Sequence, residues 1–283
     1  MSIHPNRTEA SRQGRHITAR HVVLAVVVGL LLVYYLMTRS ATYEAPPAPT
    51  PTSVVSPASV NPILSRILPT AGATRAEGIG VAVLVDTTGS MSDSVADVRG
   101  YSRPKIEIAQ RAVLALLDAT DRAARATPDR NIRVGVYEFS DRNGRDDCRR
   151  MIPLGPLDLA AARSEVSRLM PYGGTPIGNA MIMALQDLAA SGLTHQHVLI
   201  VTDGENNKGY APADVMNAVG QLPEESRPAI YFVAFDIAAE RFRPLRDAGA
   251  MVLAASNGTE LQQTLDYILT GKILAEQPST GTP

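Results

Sequence analysis

Apolar positions along this chain follow two rhythms. Runs with almost no polar interruption, IGVAVLV (79–85), HVLIVT (197–202) and AIYFVAF (229–235), predict strands covered on both faces. NIRVGVYEFS (131–140) and MVLAA (251–255) predict two more. Between them apolar residues recur at helical spacing. PKIEIAQRAVLALLDA (104–119) carries Ile106, Ala109, Val113, Leu116 and Leu117 on one face, with Pro104 suited to a helix start. LDLAAARSEVSRLM (157–170) predicts a helix, as does IGNAMIMALQDLAA (177–190), striped by Ile177, Met181, Ala184, Leu185 and Leu188. Segments 211–221, 239–247 and 258–270 complete the helices. MIPL (151–154) reads as a short edge strand, and the Asp146-Asp147 pair with its flanking arginines as a solvated loop before it. Strand and helix alternate from Gly78 to about Ile273, which predicts an α/β fold: a doubly wound, mainly parallel sheet with helices on both faces.

The first forty residues obey a different pattern. Arg7, Arg12, Arg15 and Arg20 precede an unbroken apolar run from Val22 to Met37, closed by Arg39. Such a helix is about 24 Å long, against a hydrocarbon core of about 30 Å. Thr38 extends it, and Arg20 and Arg39 can snorkel. The run is long for a cleaved signal peptide, and SATYEAPPAP lacks a small-x-small cleavage site. We therefore expect a basic cytoplasmic tail (1–21), a single transmembrane helix (22–38) and an exported remainder, periplasmic if the source is bacterial. Residues 41–61 hold five prolines among small and hydroxyl residues, a polyproline-like spacer. It belongs to a stalk (39–77) in which Ile63, Leu64, Ile67 and Leu68 can form one docking turn. Residues 274–283 form a polar tail.

Composition narrows the function. The 283 residues are 45% apolar with a net charge of -1, and no basic stripe follows residue 40, so nucleic acid is a poor partner. Cys148 is the only cysteine, which excludes an intrachain disulfide and a cysteine zinc site; it reads as an unpaired loop thiol. His195 and His197 make two metal ligands without a third, at what reads as an exposed strand end.

Oxygen-bearing side chains instead collect at three strand ends or loops. VLVDTTGSM (83–91) runs from an apolar strand into Asp86, Thr88 and Ser90. Gly173 and Gly174 precede Thr175, which with Pro176 also reads as a helix cap followed by proline at the first helical position. Asp203 follows the strand ending in Thr202. Each is ordinary turn chemistry when taken singly. Together they offer two carboxylates and three hydroxyls beyond the carboxyl ends of a parallel sheet, where ligands bind in such folds. An all-oxygen set suits Mg²⁺, Mn²⁺ or Ca²⁺. Two carboxylates at most balance the ion's charge, and if they act mainly through waters the ion stays electrophilic, open to an acidic side chain from a partner.

These motifs resemble the metal-ion-dependent adhesion site of von Willebrand factor type A (VWA) domains: Asp-x-Ser-x-Ser, a threonine in a glycine-rich loop, and a later aspartate. Threonine at 88 replaces the middle serine and keeps the hydroxyl. The resemblance spans roughly residues 78–271. It implies that Ser90, Thr88 and, in a ligand-ready state, Thr175 touch the metal directly, while Asp86 and Asp203 act largely through water. It also implies a binding protein and not an enzyme. Glu205 and Asn206 follow Asp203 closely and read as rim residues; the polar stretch 92–103 can shape the same rim. Two rivals stand beside this reading. DTTGS and TDGENN are similar to haloacid dehalogenase-like phosphotransfer motifs, with Asp86 as nucleophile, but Thr87 stands where that family has lysine. Alternatively, a metal only holds loops together in a scaffold.

Overall fold

The computed structural model describes residues 30, 31, 34, 61–68, 75–96, 101–142 and 145–276. The chain divides into two compact units, Met1–Ser56 and Pro57–Pro283. In the first, Leu30, Leu31 and Tyr34 are described; they are helical and exposed. The expected basic tail, the rest of the expected transmembrane span, the spacer up to residue 60 and the last seven residues lie outside the described residues. Among those described, no helix is long and apolar enough to cross a membrane.

The second unit is built on a six-stranded sheet ordered β5-β4-β1-β6-β7-β8. Its strands are β1 (Ala76–Asp86), β4 (Ile132–Arg142), β5 (Arg145–Gly155), β6 (Leu193–Thr202), β7 (Ala229–Phe235) and β8 (Met251–Ala255). A separate antiparallel pair, β2 (Ser94–Ala96) and β3 (Ser102–Pro104), occupies parts of the polar 92–103 stretch and runs one residue past it. All main-sheet pairings are parallel except β4 with β5. The near-continuous apolar runs follow from this: alternate residues of β1 serve two cores. Val81, Val83 and Val85 pack with helices α2 (Lys105–Ala126), α3 (Leu159–Val166) and α7 (Gly258–Ile268). Ala82 and Leu84 pack on the other face with α1 (Leu64–Ile67), α4 (Ile177–Ser191), α5 (Pro212–Gly220) and Leu245 of α6 (Arg243–Asp247). A central strand such as β1 has no wet face for polar side chains, so its polar residues are confined to its ends.

Several elements differ from expectation. The charged segment is no loop: β4 and β5 form a hairpin in which Ser140 opposes Asp147 and Asp141 opposes Asp146. Opposite charges meet across it, Arg149 Nε donating to Glu138 Oε1 at 2.8 Å from the directly paired position, which favours pairing despite the charge density. Cys148 therefore sits half-buried in a strand. Helix α3 is shorter than its stripe, starting where the Asp158 carboxylate accepts from Ala161 N at 3.0 Å. His197 is not exposed but buried within β6. Its Nε2 lies 3.3 Å from Glu276 Oε2, which also lies 2.7 Å from His195 Nδ1. Both histidines thus lie against the segment after α7, at the sheet end opposite Asp203.

The expected docking turn is present. Ile63 and Ile67 are buried in the core shared with α4 and α5. Truncating Ile67→Ala should lower the unfolding free energy by about 2–4 kcal/mol in urea titrations of the purified chain. An unchanged midpoint would mean that this turn does not dock.

Candidate metal centre

Beyond the carboxyl ends of β1 and β6 the chain diverges, towards α2 on one face and α5 on the other. Asp86 is the last residue of β1 and is fully buried. Its Oδ1 accepts from Thr88 N at 2.8 Å, and its Oδ2 from Thr202 Oγ1 at 2.6 Å. Thr88 Oγ1 lies 3.2 Å from Ser90 Oγ, and Ser90 Oγ donates to Asp203 Oδ1 at 2.7 Å. One hydrogen-bonded chain therefore joins the β1 loop to the β6 loop.

Thr175 comes from a third segment, stitched to both. Gly89 N donates to Gly173 O at 2.9 Å, Tyr172 N to Thr87 O at 2.7 Å and Asp141 N to Gly174 O at 2.9 Å. Gly173 adopts φ +68°, and a Cβ there would lie 1.7 Å from Asp141 O, so only glycine fits. Thr175 is not a helix cap: α4 starts at Ile177 after Pro176, with no side-chain cap. Its backbone is held instead by Asn207, whose Oδ1 accepts from Thr175 N at 2.8 Å while its own N donates to Thr175 O at 3.1 Å. The point where a Cβ on Gly204 would sit is 3.7 Å from Thr175 Oγ1 and 3.9 Å from Ser90 Oγ. Asp86, Thr88, Ser90, Thr175 and Asp203 thus converge on one rim.

Four neighbours escaped the sequence reading. Thr202 donates a hydrogen bond to Asp86, Asn207 fixes Thr175, Lys105 pairs with Asp203, and Asp236 pairs with Lys105. Lys105 Nζ lies 3.1 Å from Asp203 Oδ2 and 2.9 Å from Asp236 Oδ2, and the lysine is buried. Burial alone would push its pKa down; hydrogen bonds and charge from Asp236 and Asp203 outweigh that and raise it. A signal existed: Lys105 stands four residues before Ala109, on the helix's buried stripe, where an unpaired lysine is untenable. Glu205 pairs with Arg241, and Asn206 Oδ1 accepts from Gly178 N at 3.3 Å.

Burial pushes the Asp86 carboxyl up to about 7; the Thr202 hydrogen bond opposes this, the Asp203 charge adds to it, and the Thr88 bonds oppose it. A cation beside it would relieve that burden. Among the described residues no group of three or more His, Cys, Asp or Glu side chains can hold a metal, so ion binding here must draw on hydroxyls. Two carboxylates with Thr88, Ser90 and Thr175 form an all-oxygen set whose chemistry fits a hard divalent cation.

Residues 81–205 match the model of one protein family. That family is the von Willebrand factor type A domain. Solved structures agree on the fold. A von Willebrand factor type A protein from Catenulispora acidiphila is similar at TM-score 0.51 and 21% identity, over 71% of this chain and 44% of that one. The PilB minor pilin from Streptococcus sanguinis gives 0.54 and 14%, over 69% and 61%. The vWF domain of the type V pili tip protein Mfa5 from Porphyromonas gingivalis gives 0.54 and 12%, over 71% and 97%. The chain thus spans less than two thirds of the first two. No curated protein matches it. The family match is confined to residues 81–205, and these solved structures, each under 25% identical, show likeness of fold alone.

An acid whose folded pKa lies above its unfolded value of 3.8 keeps its proton longer when folded. Its contribution is therefore most favourable below about pH 4 and is lost as pH rises towards 7, a decline on the order of 4 kcal/mol. In chelator, the stability difference between wild type and Asp86→Asn should shift against wild type across that window. Equal pH profiles for the two proteins would contradict the burial argument.

Proposed function

We propose that residues 78–273 bind a protein partner through a divalent cation, Mg²⁺ or alternatively Mn²⁺ or Ca²⁺, held by Asp86, Thr88, Ser90, Thr175 and Asp203. The reading rests on one observation: three separate segments are hydrogen-bonded into a single rim that presents these five oxygen-bearing side chains. Ser90 is exposed at that rim, so an ion held there is open to an acidic side chain from outside. Met170 and Tyr172, just before the glycine-rich loop, are 71% and 52% exposed, an apolar border of the kind protein interfaces use. Two proteins similar in fold are named as a minor pilin and a pilus tip protein, which accords with a binding role. We further propose that residues 22–38 anchor the chain in a membrane, with its N-terminus cytoplasmic and the VWA domain on the extracytoplasmic side.

The phosphotransfer alternative has less support. Thr87, in the lysine position of that motif, is buried, and its Oγ1 donates to Phe139 O at 3.2 Å. In the scaffold alternative the cation only ties the three loops together.

Capture of membrane proteins on the immobilised chain in Mg²⁺, then in chelator, tests the proposal. Asp86→Ala and Thr175→Ala should weaken captured binding by at least about tenfold while leaving the CD spectrum unchanged. Collapse of the spectrum on Asp86→Ala would favour the scaffold. Turnover of an aryl phosphate that disappears in Asp86→Asn would favour the enzyme.

A further inference from the structure

Lys105 opens α2 directly behind the rim, its backbone N donating to Asp93 O at 2.8 Å. Its ammonium is clamped from two loops: Asp203, one residue past β6, and Asp236, one residue past β7. Asp236 takes φ +54°, unusual for a residue with a side chain, and its N donates to Ala255 O at 2.8 Å. A strained backbone, a bond to the neighbouring strand and a buried lysine thus fix one arrangement. Asp203 divides its two oxygens accordingly. Oδ1 takes the Ser90 hydroxyl, within the five-residue oxygen set, and Oδ2 takes Lys105.

We propose that Lys105 is a built-in cation that shares Asp203 with the divalent ion, weakening ion binding while keeping the ion-free rim folded. The inference rests on the metal reading above. Its logic is charge. Asp203 and Asp236 both pair with the ammonium, and Asp203 is linked through Ser90 and Thr88 to Asp86. The ammonium offsets charge on Asp203 that the ion would otherwise draw on; without the lysine that carboxylate holds the ion more strongly but is a heavier burden when the ion is absent. Asp236 acts in the opposite sense. It offsets the lysine, so removing it leaves the ammonium free to repel an incoming ion. Lys105 is therefore an affinity-setting residue: it keeps the centre responsive to changes in divalent concentration instead of permanently filled.

Titration of the full chain with Mn²⁺, read by calorimetry and by thermal melting, tests this on Lys105→Met and Asp236→Asn. Lys105→Met should bind Mn²⁺ at least about tenfold more tightly, melt lower than wild type in chelator, and gain the larger upward shift on adding ion. Asp236→Asn should bind Mn²⁺ more weakly than wild type. A purely structural lysine would move both variants in the same direction, and that result, or Mn²⁺ affinities within about twofold of wild type for both, overturns the inference while leaving the metal reading intact. If Lys105→Met fails to fold, the sign for Asp236→Asn decides alone: unchanged or tighter binding overturns the inference. No Mn²⁺ binding by wild type or either variant overturns the metal reading and this inference with it.

Discussion

Asp86 ends a strand that is covered on both faces, so its carboxylate emerges where water is excluded. A buried carboxylate must be hydrogen-bonded, protonated or matched by a cation. Thr88 N and the Thr202 hydroxyl supply the hydrogen bonds, and burial still lifts its pKa to about 7. The rim is arranged around that unfinished compensation. Thr202 is recruited from the adjacent strand, Asp203 is turned towards Ser90, and the Gly173-Gly174 loop is drawn down far enough to bring Thr175 alongside.

The sheet explains why these residues can meet. Neighbouring parallel strands β1 and β6 end side by side, yet their connections leave on opposite faces, so their last residues meet where the two chain paths part. The third segment reaches that point because Gly173 admits the close approach of Asp141 O that any side chain would block. Local backbone freedom at Gly173 and long-range strand order therefore cooperate at one point, and the donor set depends on both.

Much of this was legible in the sequence, for identifiable reasons. Strands covered on both faces write themselves as apolar runs: AIYFVAF and MVLAA match β7 and β8 residue for residue. The polar residues that follow such runs stand out because the runs are so uniform, which is how Asp86 and Asp203 were found. What failed was pairing across sequence distance. The charge density around Asp146 and Asp147 conceals a hairpin whose cross-strand Glu138–Arg149 pair is invisible to local pattern. His197 looked exposed because its burial partner, Glu276, is supplied from the chain's far end. Lys105 lies on the buried stripe of its helix and so demands an anionic partner, but its partners come from loops about 100 residues and more away in sequence.

The central claim is that the rim formed by Asp86, Thr88, Ser90, Thr175 and Asp203 holds one divalent ion. Crystals of the full chain grown in Mn²⁺ and recorded at an X-ray energy where manganese scatters anomalously test it most directly. The account predicts a single strong anomalous peak within coordination reach of the Ser90 and Thr175 hydroxyls. A peak elsewhere, or no peak at saturating Mn²⁺, would contradict it.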